Sequence, residues 1–339
     1  MRQTVRVQTT GRAGPGQTGS GGAERRVRDE GEFGLIDVVR AELAPTSAVL
    51  LGPGDDAAHV AARHGAVVVS TDLLVEGRHF RRDWSTAHDV GRKAAAANLS
   101  DINAMGGVAT ALTVGLGVPG DLATSWVRDL ARGFAEECAK VGATVAGGDM
   151  TEADSIVVAV TAIGDAIRPV TRAGALPGDV VAVAGTLGLA GAGLAALSRG
   201  FRSPRLAVDA HRVPSPPYAA GPQAAHAGAT AMIDVSDGLV ADLGHLAASS
   251  GVVVEIDSTT LVVPEPVATV AEALGGDGLD FVLTGGEDFA LAATFSSQSD
   301  LPSGWRAVGV VRDPTGEESP GVLVDGEPHE GSPGHRHWG

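Results

Sequence analysis

The chain has 339 residues, a hydrophobic fraction of 44% and a formal net charge of −16. This length predicts two domains, and the acidic balance argues against nucleic-acid binding through a general basic surface. The one cysteine, Cys138, excludes an internal disulfide and a cysteine-based zinc cluster. So low a cysteine content is compatible with the cytoplasm, where we expect the protein to be located.

The N-terminal segment, residues 1–30, is polar and rich in arginine and glycine, without the apolar stretch of a secretory signal. We predict that this segment is a disordered tail. The longest uncharged run, residues 180–197, contains four glycines. It is more typical of a strand, a glycine turn and a helix than of a membrane span, so we expect no association with a membrane.

Helices and strands alternate in the region after this tail. An amphipathic helix is predicted from Gly31, because Phe33, Ile36 and Val39 recur near helical spacing. We predict strands for AVLLGPGDDAA, AVVVSTD, ATALTVGLGV, ATVAGGD and SIVVAVTAIGDA, and helices for DVGRKAAAANLSDINAMGG and residues 124–141. The alternation predicts an α/β fold.

A domain boundary is predicted within residues 167–177, where the apolar pattern breaks. The first domain then covers residues 31–168 and the second covers residues 169–339. In the second domain we predict strands for DVVAVAG, VVVEID and FVLTGGEDFALAATF, and a strand, turn and helix for TAMIDVSDGLVADLGHLAASSG. Residues 199–222 and the tail after Pro314 are predicted as loops.

Aspartates recur where strands or glycine turns end, a position that fixes a short side chain at the rim of a sheet. These residues are Asp55, Asp56, Asp72, Asp101, Asp149, Asp234 and Asp237. Two unit charges about 4 Å apart cost on the order of 4 kcal/mol even at an effective dielectric near 20, so converging carboxylates need cations between them. Each aspartate alone is explained as a turn former or helix cap. Their recurrence at strand ends favours a shared magnesium site.

Two short segments place polar side chains at helical spacing. Asn98 and Asp101 are three residues apart and would share one face of a helix. Asp234 and Asp237 have the same spacing and would serve one ion cluster if their segment begins a helix. Arg172, near the domain boundary, is either a surface arginine or a clamp on a phosphate group.

The glycine run from Gly185, GTLGLAGAG, superficially resembles a phosphate-binding loop. It matches neither the Walker pattern nor the dinucleotide fingerprint, and helix–sheet packing explains it adequately. The C-terminal residues His335, His337 and Trp338 form either a tag-like tail or an aromatic end that covers a substrate.

Taken together, the motifs resemble the thiamine-monophosphate kinase family, in the superfamily of aminoimidazole ribonucleotide synthetase and selenophosphate synthetase. The segments that carry the resemblance follow the family order between residues 31 and 291: GEFGLI, GPGDDAA, VVSTDLLVEGRHF, KAAAANLSDINAMG, VAGGDMT, VTRAGALPGD, MIDVSDGLVADLGHL and LTGGEDFAL. The resemblance implies an N-terminal α/β domain that dimerises through its sheet, a C-terminal α/β domain, and a nucleotide cleft near the dimer interface.

The resemblance also implies roles for individual residues. Magnesium ligands are implied at Asp56, Ser70, Thr71, Asp72, Asp101, Asp149, Asp234 and Asp237. Nucleotide contacts are implied at Gly148, Asp149, Arg172 and Ser236, and contacts with the thiamine phosphate at His79 and Glu287. The family usually ends in a glycine-aromatic-x-histidine-aromatic pattern whose first aromatic stacks on the substrate. Here His335 takes that position, so the stacking role falls to either His335 or Trp338.

The implied reaction is ATP-dependent phosphorylation of thiamine monophosphate to thiamine diphosphate by in-line transfer. It implies several Mg²⁺ ions as cofactors, ATP as co-substrate and a homodimer as the assembly. A phosphate oxygen is already anionic at neutral pH, so no dedicated catalytic base is expected.

The alternatives are an aminoimidazole ribonucleotide synthetase and a non-catalytic sensor of divalent ions or nucleotides. Selenophosphate synthetase would carry a reactive N-terminal cysteine or selenocysteine, and the hydrogenase-maturation relative would end in cysteine; this sequence has neither.

Overall fold

The structure, a computed structural model, describes residues 25–52, 58–316 and 318–329 together with Gly334. Among the described helices, none has both the length and the apolar character needed to cross a lipid bilayer. The mixture of helices and strands confirms the predicted α/β class. Several residues with predicted roles lie outside the described residues: Asp55, Asp56, His335, His337 and Trp338.

The first part of the chain folds into a sheet with helices packed on one face. Its elements are α1 (Val27–Arg40), β1 (Val49–Leu51), β2 (His59–Val60), β3 (Val68–Val75), α2 (Ala87–Ala104), β4 (Val108–Val118), α3 (Thr124–Ala139), β5 (Thr144–Glu152) and β6 (Val157–Asp165). The sheet has the strand order β3-β6-β4-β5, in which β6 is antiparallel to β3 and β4, and β4 is parallel to β5. β1 and β2 form a separate antiparallel pair. Leu99 of α2, Phe134 of α3 and Leu112 of β4 lie in one hydrophobic core.

The contact between α2 and α3 requires glycine at two positions. A Cβ atom added at Gly91 would lie 2.1 Å from the carbonyl oxygen of Leu130, and one added at Gly133 would lie 2.2 Å from that of His88. Backbone atoms cannot accept contacts this short, so a larger side chain would push the helices apart. The close packing fixes α2, which carries Asp101.

β3 separates polar residues from an exposed apolar face. Alternate side chains of a strand point to opposite faces of its sheet. Ser70 and Asp72 lie on the face covered by α2, whereas Val69, Thr71 and Leu73 lie on the opposite face, here called the outward face. Val69 is 59% exposed and Leu73 is 55% exposed. The outward face therefore exposes apolar side chains, on either side of Thr71, to solvent in a single chain.

The second part of the chain builds a larger sheet that is covered on both faces. Its elements are β7 (Val180–Ala184), α4 (Leu189–Ser198), α5 (Arg205–Arg212), α6 (Ala220–His226), β8 (Ala231–Val235), α7 (Leu239–Ser250), β9 (Val253–Ile256), α8 (Glu265–Leu274), α9 (Gly278–Thr284), β10 (Ala290–Phe295), β11 (Trp305–Arg312), β12 (Gly321–Val324) and β13 (Glu327–Pro328). The strand order is β13-β12-β9-β11-β7-β10-β8, and among the described strands of this second sheet only the β12–β9 pair is parallel. Val181 and Val183 of β7 face one core with α7, while Ala182 and Ala184 face another that includes Ala104 of α2. The second sheet therefore packs against the C-terminal end of α2.

The N-terminal boundary of the ordered chain differs from the prediction. Residues 25–30, predicted to belong to the disordered tail, take a defined position, because α1 starts with a short helical stretch at Val27. Gly31, with a φ of 68°, kinks α1, and the part after this kink is the helix predicted from Gly31. The Val27 N–H bonds to the Leu122 carbonyl oxygen at 2.9 Å, and the Val27 side chain is buried. A long-range contact that the local composition does not reveal thus orders these residues.

The second part of the chain differs from the prediction in three segments. Residues 199–222, predicted as loop, contain α5 and the start of α6. The predicted strand from Phe281 begins instead within α9, because the Asp277 carboxylate accepts a hydrogen bond from the Leu279 N–H at 2.9 Å and caps that helix. After Pro314, β12 pairs with β9 and extends the sheet.

Candidate active site

Carboxylates from both parts of the chain meet beside α2. We call Asp72 of β3, Asp101 of α2 and Asp234 of β8 the acidic cluster, because their charges act on one another. The Ser70 hydroxyl donates a short hydrogen bond to the Asp101 carboxylate. The Asp72 N–H donates to the side-chain oxygen of Asn98 at 3.2 Å. These bonds join β3 to the face of α2 on which the sequence predicts Asn98 and Asp101.

Burial and mutual repulsion raise pKa values in the acidic cluster. Burial, followed by the neighbouring Asp72, raises the pKa of Asp101 to about 6, against the opposing effects of Ser70 and Arg172. Asp234 is 5% exposed. Its burial, followed by the charge of Asp101, raises its pKa well above the ordinary value, and Arg172 again opposes the shift. Arg172 therefore offsets part of the negative charge of the cluster.

The acidic cluster has the chemistry of a binding site for hard cations. The Oδ2 atom of Asp234 is buried and has no hydrogen-bond partner among the described residues. A buried carboxylate oxygen without a partner is costly, and a divalent cation would supply the partner and offset the repulsion. Within residues 25–52, 58–316, 318–329 and 334, no group of three or more His, Cys, Asp or Glu side chains is arranged so that it could hold a metal ion by itself. Mg²⁺ usually completes its coordination with water and substrate phosphates. The acidic cluster therefore fits a magnesium site whose remaining ligands come from the bound substrates.

The turn between β8 and α7 fixes two further predicted residues, Ser236 and Asp237. One oxygen of Asp242 accepts hydrogen bonds from the three successive N–H groups of residues 236–238, at 2.9 to 3.0 Å. The first turn of α7 therefore holds the backbone that carries Asp237. Gly334 packs against this turn, because a Cβ atom there would lie 2.3 Å from the Asp237 carbonyl oxygen. The chain thus returns to the turn close to its C-terminus.

Thr71 and Asp149, two further predicted ligands, lie away from the acidic cluster within one chain. The Thr71 hydroxyl lies on the outward face, 2.9 Å from that of Thr161. Asp149 occupies the same register row as Leu73, across β6 and β4. Residues in one row share a face, and each strand adds 4.7 to 4.9 Å, so Asp149 lies on the outward face about 14 Å from β3.

Two predicted nucleotide contacts, Gly148 and Arg172, lie in segments whose backbone contacts neighbouring elements. A Cβ atom at Gly148 would lie 2.0 Å from the Val114 carbonyl oxygen. The hydroxyl of Ser250, at the end of α7, donates to the Arg172 carbonyl oxygen at 3.0 Å and accepts from the N–H groups of residues 174–175 at 3.1 and 3.2 Å. The segment that carries Arg172 is therefore anchored to α7.

A second polar group surrounds Glu287. This residue has a positive φ of 66° and donates its N–H to the Ser236 carbonyl oxygen at 2.7 Å. Its carboxylate oxygens lie 2.9 Å from Lys93 Nζ and 3.1 Å from His211 Nδ1. Lys93 also donates to the backbone oxygen of His79 at 3.0 Å. The two predicted substrate contacts, His79 and Glu287, are therefore joined through Lys93.

Sequence reasoning missed Lys93 and His211. Lys93 lies four and eight residues before Ala97 and Asp101, on the same broad face of α2, and this spacing is a signal that would have identified it. His211 lies in a segment predicted as loop, and no local pattern singles it out. Its importance follows only from the approach of α5 to Glu287.

The glycine run at the start of α4 serves packing. Asp288 accepts hydrogen bonds from the N–H groups of Gly188 and Ala190 at 2.5 and 2.9 Å, so a protein carboxylate already occupies this helix N-terminus. A Cβ atom at Gly193 would lie 2.0 Å from the Ala207 carbonyl oxygen. Close contact between α4 and α5 thus explains Gly193, so packing accounts for this glycine, although the neighbour is a helix and not the predicted sheet.

Comparison with known proteins gives a consistent result for both parts of the chain. Residues 54–166 match the N-terminal domain and residues 177–318 the C-terminal domain of AIR synthase related protein. The thiamine-monophosphate kinase of Mycobacterium tuberculosis is 48% identical over 313 residues, which cover 91% of this chain and 92% of that relative.

Solved structures of similar proteins agree with this match. The crystal structure of thiamine monophosphate kinase from Aquifex aeolicus has a TM-score of 0.71 and 33% identity, and the match covers 77% of this chain and 88% of that one. AaThiL complexed with AMPPCP and TMP has a TM-score of 0.73 and 31% identity, and that match covers 94% of this chain and 100% of the other. The order of motifs, the two matched domains and the identity over nearly the whole length lead to one conclusion: the chain belongs to the thiamine-monophosphate kinase family of AIR synthase related proteins.

Proposed function

We propose that this protein transfers the γ-phosphoryl group of ATP to thiamine monophosphate, with ADP and thiamine diphosphate as products. The observation that carries the proposal is the acidic cluster, to which both parts of the chain contribute, in a protein 48% identical to a thiamine-monophosphate kinase. The relative solved with AMPPCP and TMP supports the same pair of substrates.

The proposed transfer occurs in line and needs no general base. The attacking oxygen belongs to a phosphate group that is already anionic at neutral pH, so the protein has to position two polyanions and offset their charge. Arg172 is suited to hold a phosphate, because its charge already acts on Asp101 and Asp234. Gly148 and Ser236 complete the proposed nucleotide contacts, and His79 and Glu287 the proposed contacts with thiamine monophosphate.

Mg²⁺ is the proposed cofactor, with several ions in the loaded enzyme. When bound, Mg²⁺ offsets negative charge on the substrates and on the carboxylates that hold it. The acidic cluster and Ser70 would hold it beside α2, where Asp234 Oδ2 has no partner among the described residues. The resemblance adds further proposed ligands at Asp56, Thr71, Asp149 and Asp237.

We also propose a homodimer that forms through the outward face of the first sheet. Val67, Val69 and Leu73 alternate along this face and are 42%, 59% and 55% exposed. Contiguous exposed apolar side chains typically mark a contact surface. Thr71 and Asp149 lie on the same face, so a dimer formed there would bring them next to a second chain. The division into residues 31–168 and 169–339 and the location in the cytoplasm stay predictions.

A substrate comparison tests the proposed reaction. Purified protein would be given ATP, Mg²⁺ and either thiamine monophosphate or formylglycinamidine ribonucleotide, with ADP release measured by a coupled assay. We expect ADP release only with thiamine monophosphate. Release with the ribonucleotide alone would identify an aminoimidazole ribonucleotide synthetase, and nucleotide binding by calorimetry without turnover of either compound would identify a sensor.

A further inference from the structure

Lys93 is a buried cation whose hydrogen-bonding capacity is fully used. It is 3% exposed. Its Nζ atom lies 2.9 Å from Glu287 Oε1 and donates to the backbone oxygens of His79 and His211 at 3.0 and 3.1 Å. An ammonium group has three donors, so these three contacts account for all of them. One partner belongs to the first part of the chain and two belong to the second, so Lys93 connects the two parts where the predicted substrate contacts lie.

Glu287 is held in one place and one charge state by its neighbours. Its positive φ and the bond from its N–H to Ser236 fix the backbone. Burial alone would raise the pKa of Glu287, but Lys93 and then His211 hold that pKa well below its usual range. His211 has a lowered pKa itself, because it is buried and lies near Lys93. The side chain of Glu287 keeps 24% of its surface exposed, so part of this side chain remains accessible to a ligand.

We propose that Lys93 is a positioning residue, which reaches from α2 across to the second part of the chain and orients the Glu287 carboxylate for the thiamine portion of the substrate. This inference rests on the proposed function. Thiamine monophosphate carries a positively charged ring and an amino group, and either one suits an oriented carboxylate. Removing one partner of a buried charge pair leaves the other charge unpaired, so loss of Lys93 would displace or neutralise Glu287.

A double-mutant cycle distinguishes this role from simple support of the fold. Steady-state kinetics would be measured for Lys93→Met, Glu287→Gln and the double variant. We expect each single change to raise KM for thiamine monophosphate about tenfold or more, as the loss of a charged contact does, with KM for ATP nearly unchanged. The double variant should be little worse than the poorer single variant, because both changes remove the same interaction.

Lys140→Met is the matched control. Lys140 also pairs with a buried glutamate, Glu137, at 2.9 Å, but it lies at the end of α3, away from Glu287. This variant should lose stability and keep the wild-type KM for thiamine monophosphate. If Lys93→Met fails to fold, Lys93→Arg replaces it. Arginine keeps the positive charge but places its hydrogen-bond donors differently, so we expect a higher KM for thiamine monophosphate and an unchanged KM for ATP.

Three results would overturn the inference while wild-type turnover upholds the proposed function. They are an unchanged KM for thiamine monophosphate in the folded Lys93 variants, an equal rise in both KM values, and independent, multiplicative effects in the double variant. A wild-type protein that does not phosphorylate thiamine monophosphate would instead overturn the proposed function itself.

Discussion

At the scale of single residues, the acidic cluster carries more negative charge than its protein partners offset. Burial and repulsion raise the pKa of Asp101 to about 6, and one oxygen of Asp234 has no partner within the part of the chain that the structure describes. Arg172 opposes both shifts but belongs to a separate loop. These carboxylates therefore cost stability unless a cation offsets their charge, which is typical of residues in a binding site.

Substitution of the cluster separates its role in turnover from its role in folding. We expect Asp72→Asn and Asp101→Asn each to reduce kcat by about 100-fold or more, because an amide cannot offset cationic charge as a carboxylate does. The melting temperature should stay constant or rise, since repulsion is relieved. Steady-state kinetics and thermal denaturation measure the two effects, with exposed Asp313→Asn as the control. An Asp72→Asn protein with normal magnesium-dependent turnover would contradict the assignment.

Asp288 predicts a pH dependence of stability that is independent of metal. Burial raises its pKa to about 7, although the N–H groups of Ala190 and Gly188 favour the charged form. The folded state then binds a proton that the unfolded state releases near pH 4, so this group's contribution to stability is lost as the pH rises from about 4 to about 7. Urea unfolding of wild type and Asp288→Asn at pH 5, 6 and 7 measures this loss.

The variant lacks the titrating group, so its stability relative to wild type should improve as the pH rises through this interval, by at most about 1.4 kcal/mol per pH unit. A difference between the two proteins that stays constant from pH 5 to pH 7 would show that Asp288 does not titrate there.

Sequence patterns located the cluster residues but not the charges that act on them. The sequence predicts strand ends at Asp72 and Asp234, and a helical face that Asp101 shares with Asn98. Asp234 lies one residue before the end of β8, but β3 continues to Val75, so Asp72 lies within its strand. Lys93 was missed, because burial of a charge depends on elements that approach from elsewhere in the chain. The faces of β3 also matter: Ser70 and Thr71 are neighbours in sequence, yet the structure places them on opposite sides of the sheet.

At the scale of secondary structure elements, the α2–α3 contact controls the position of Asp101. We expect Gly91→Ala to lower the free energy of unfolding by about 2 kcal/mol or more, because the new Cβ atom would lie 2.1 Å from a backbone oxygen. Urea denaturation measures the change. Gly244→Ala in α7 is the matched control, since a Cβ atom there would meet nothing within 4 Å. That change should stabilise the protein slightly through helix propensity, and a similar loss in both variants would contradict the packing argument.

The elements that were predicted incorrectly share one cause. Phe281 and Val282 favour strand by composition, but the Asp277 cap starts a helix that packs onto the second domain core through Val282 and Leu283. α5 follows Pro204 in an arginine-rich segment, and its helical spacing shows only in the buried residues Ala207, Val208 and His211. Tertiary contacts decide the structure of short segments such as these, whereas the longer strands and α2 follow from their own patterns.

At the scale of the whole molecule, the exposed apolar side chains of the outward face predict a homodimer. We expect Leu73→Asp to convert a dimer into a monomer, because a charge would be buried at the centre of the proposed interface. Size-exclusion chromatography with light scattering measures the mass. Ile167→Asp is the control, since Ile167 is 84% exposed and lies outside the sheet. A wild-type protein that is monomeric, or a Leu73→Asp protein that stays dimeric, would contradict a dimer through this face.

The two-domain organisation explains why motifs spread over the whole chain form one site. Asp101 and Asp234 lie far apart in sequence and reach each other because the second sheet packs against the end of α2. From the sequence, only the family resemblance predicts that these motifs belong to one site. The packing of the two sheets supplies the physical reason.

The most direct measurement is the formation of thiamine diphosphate and ADP by purified wild-type protein from ATP and thiamine monophosphate, across a titration of Mg²⁺ and in excess chelator. We expect equal amounts of the two products, at a rate that rises with Mg²⁺ to saturation and falls to background with chelator. Thiamine diphosphate formed at full rate in chelator, or ADP formed without thiamine diphosphate, would contradict a reaction in which carboxylates of both domains share magnesium with two phosphate-bearing substrates.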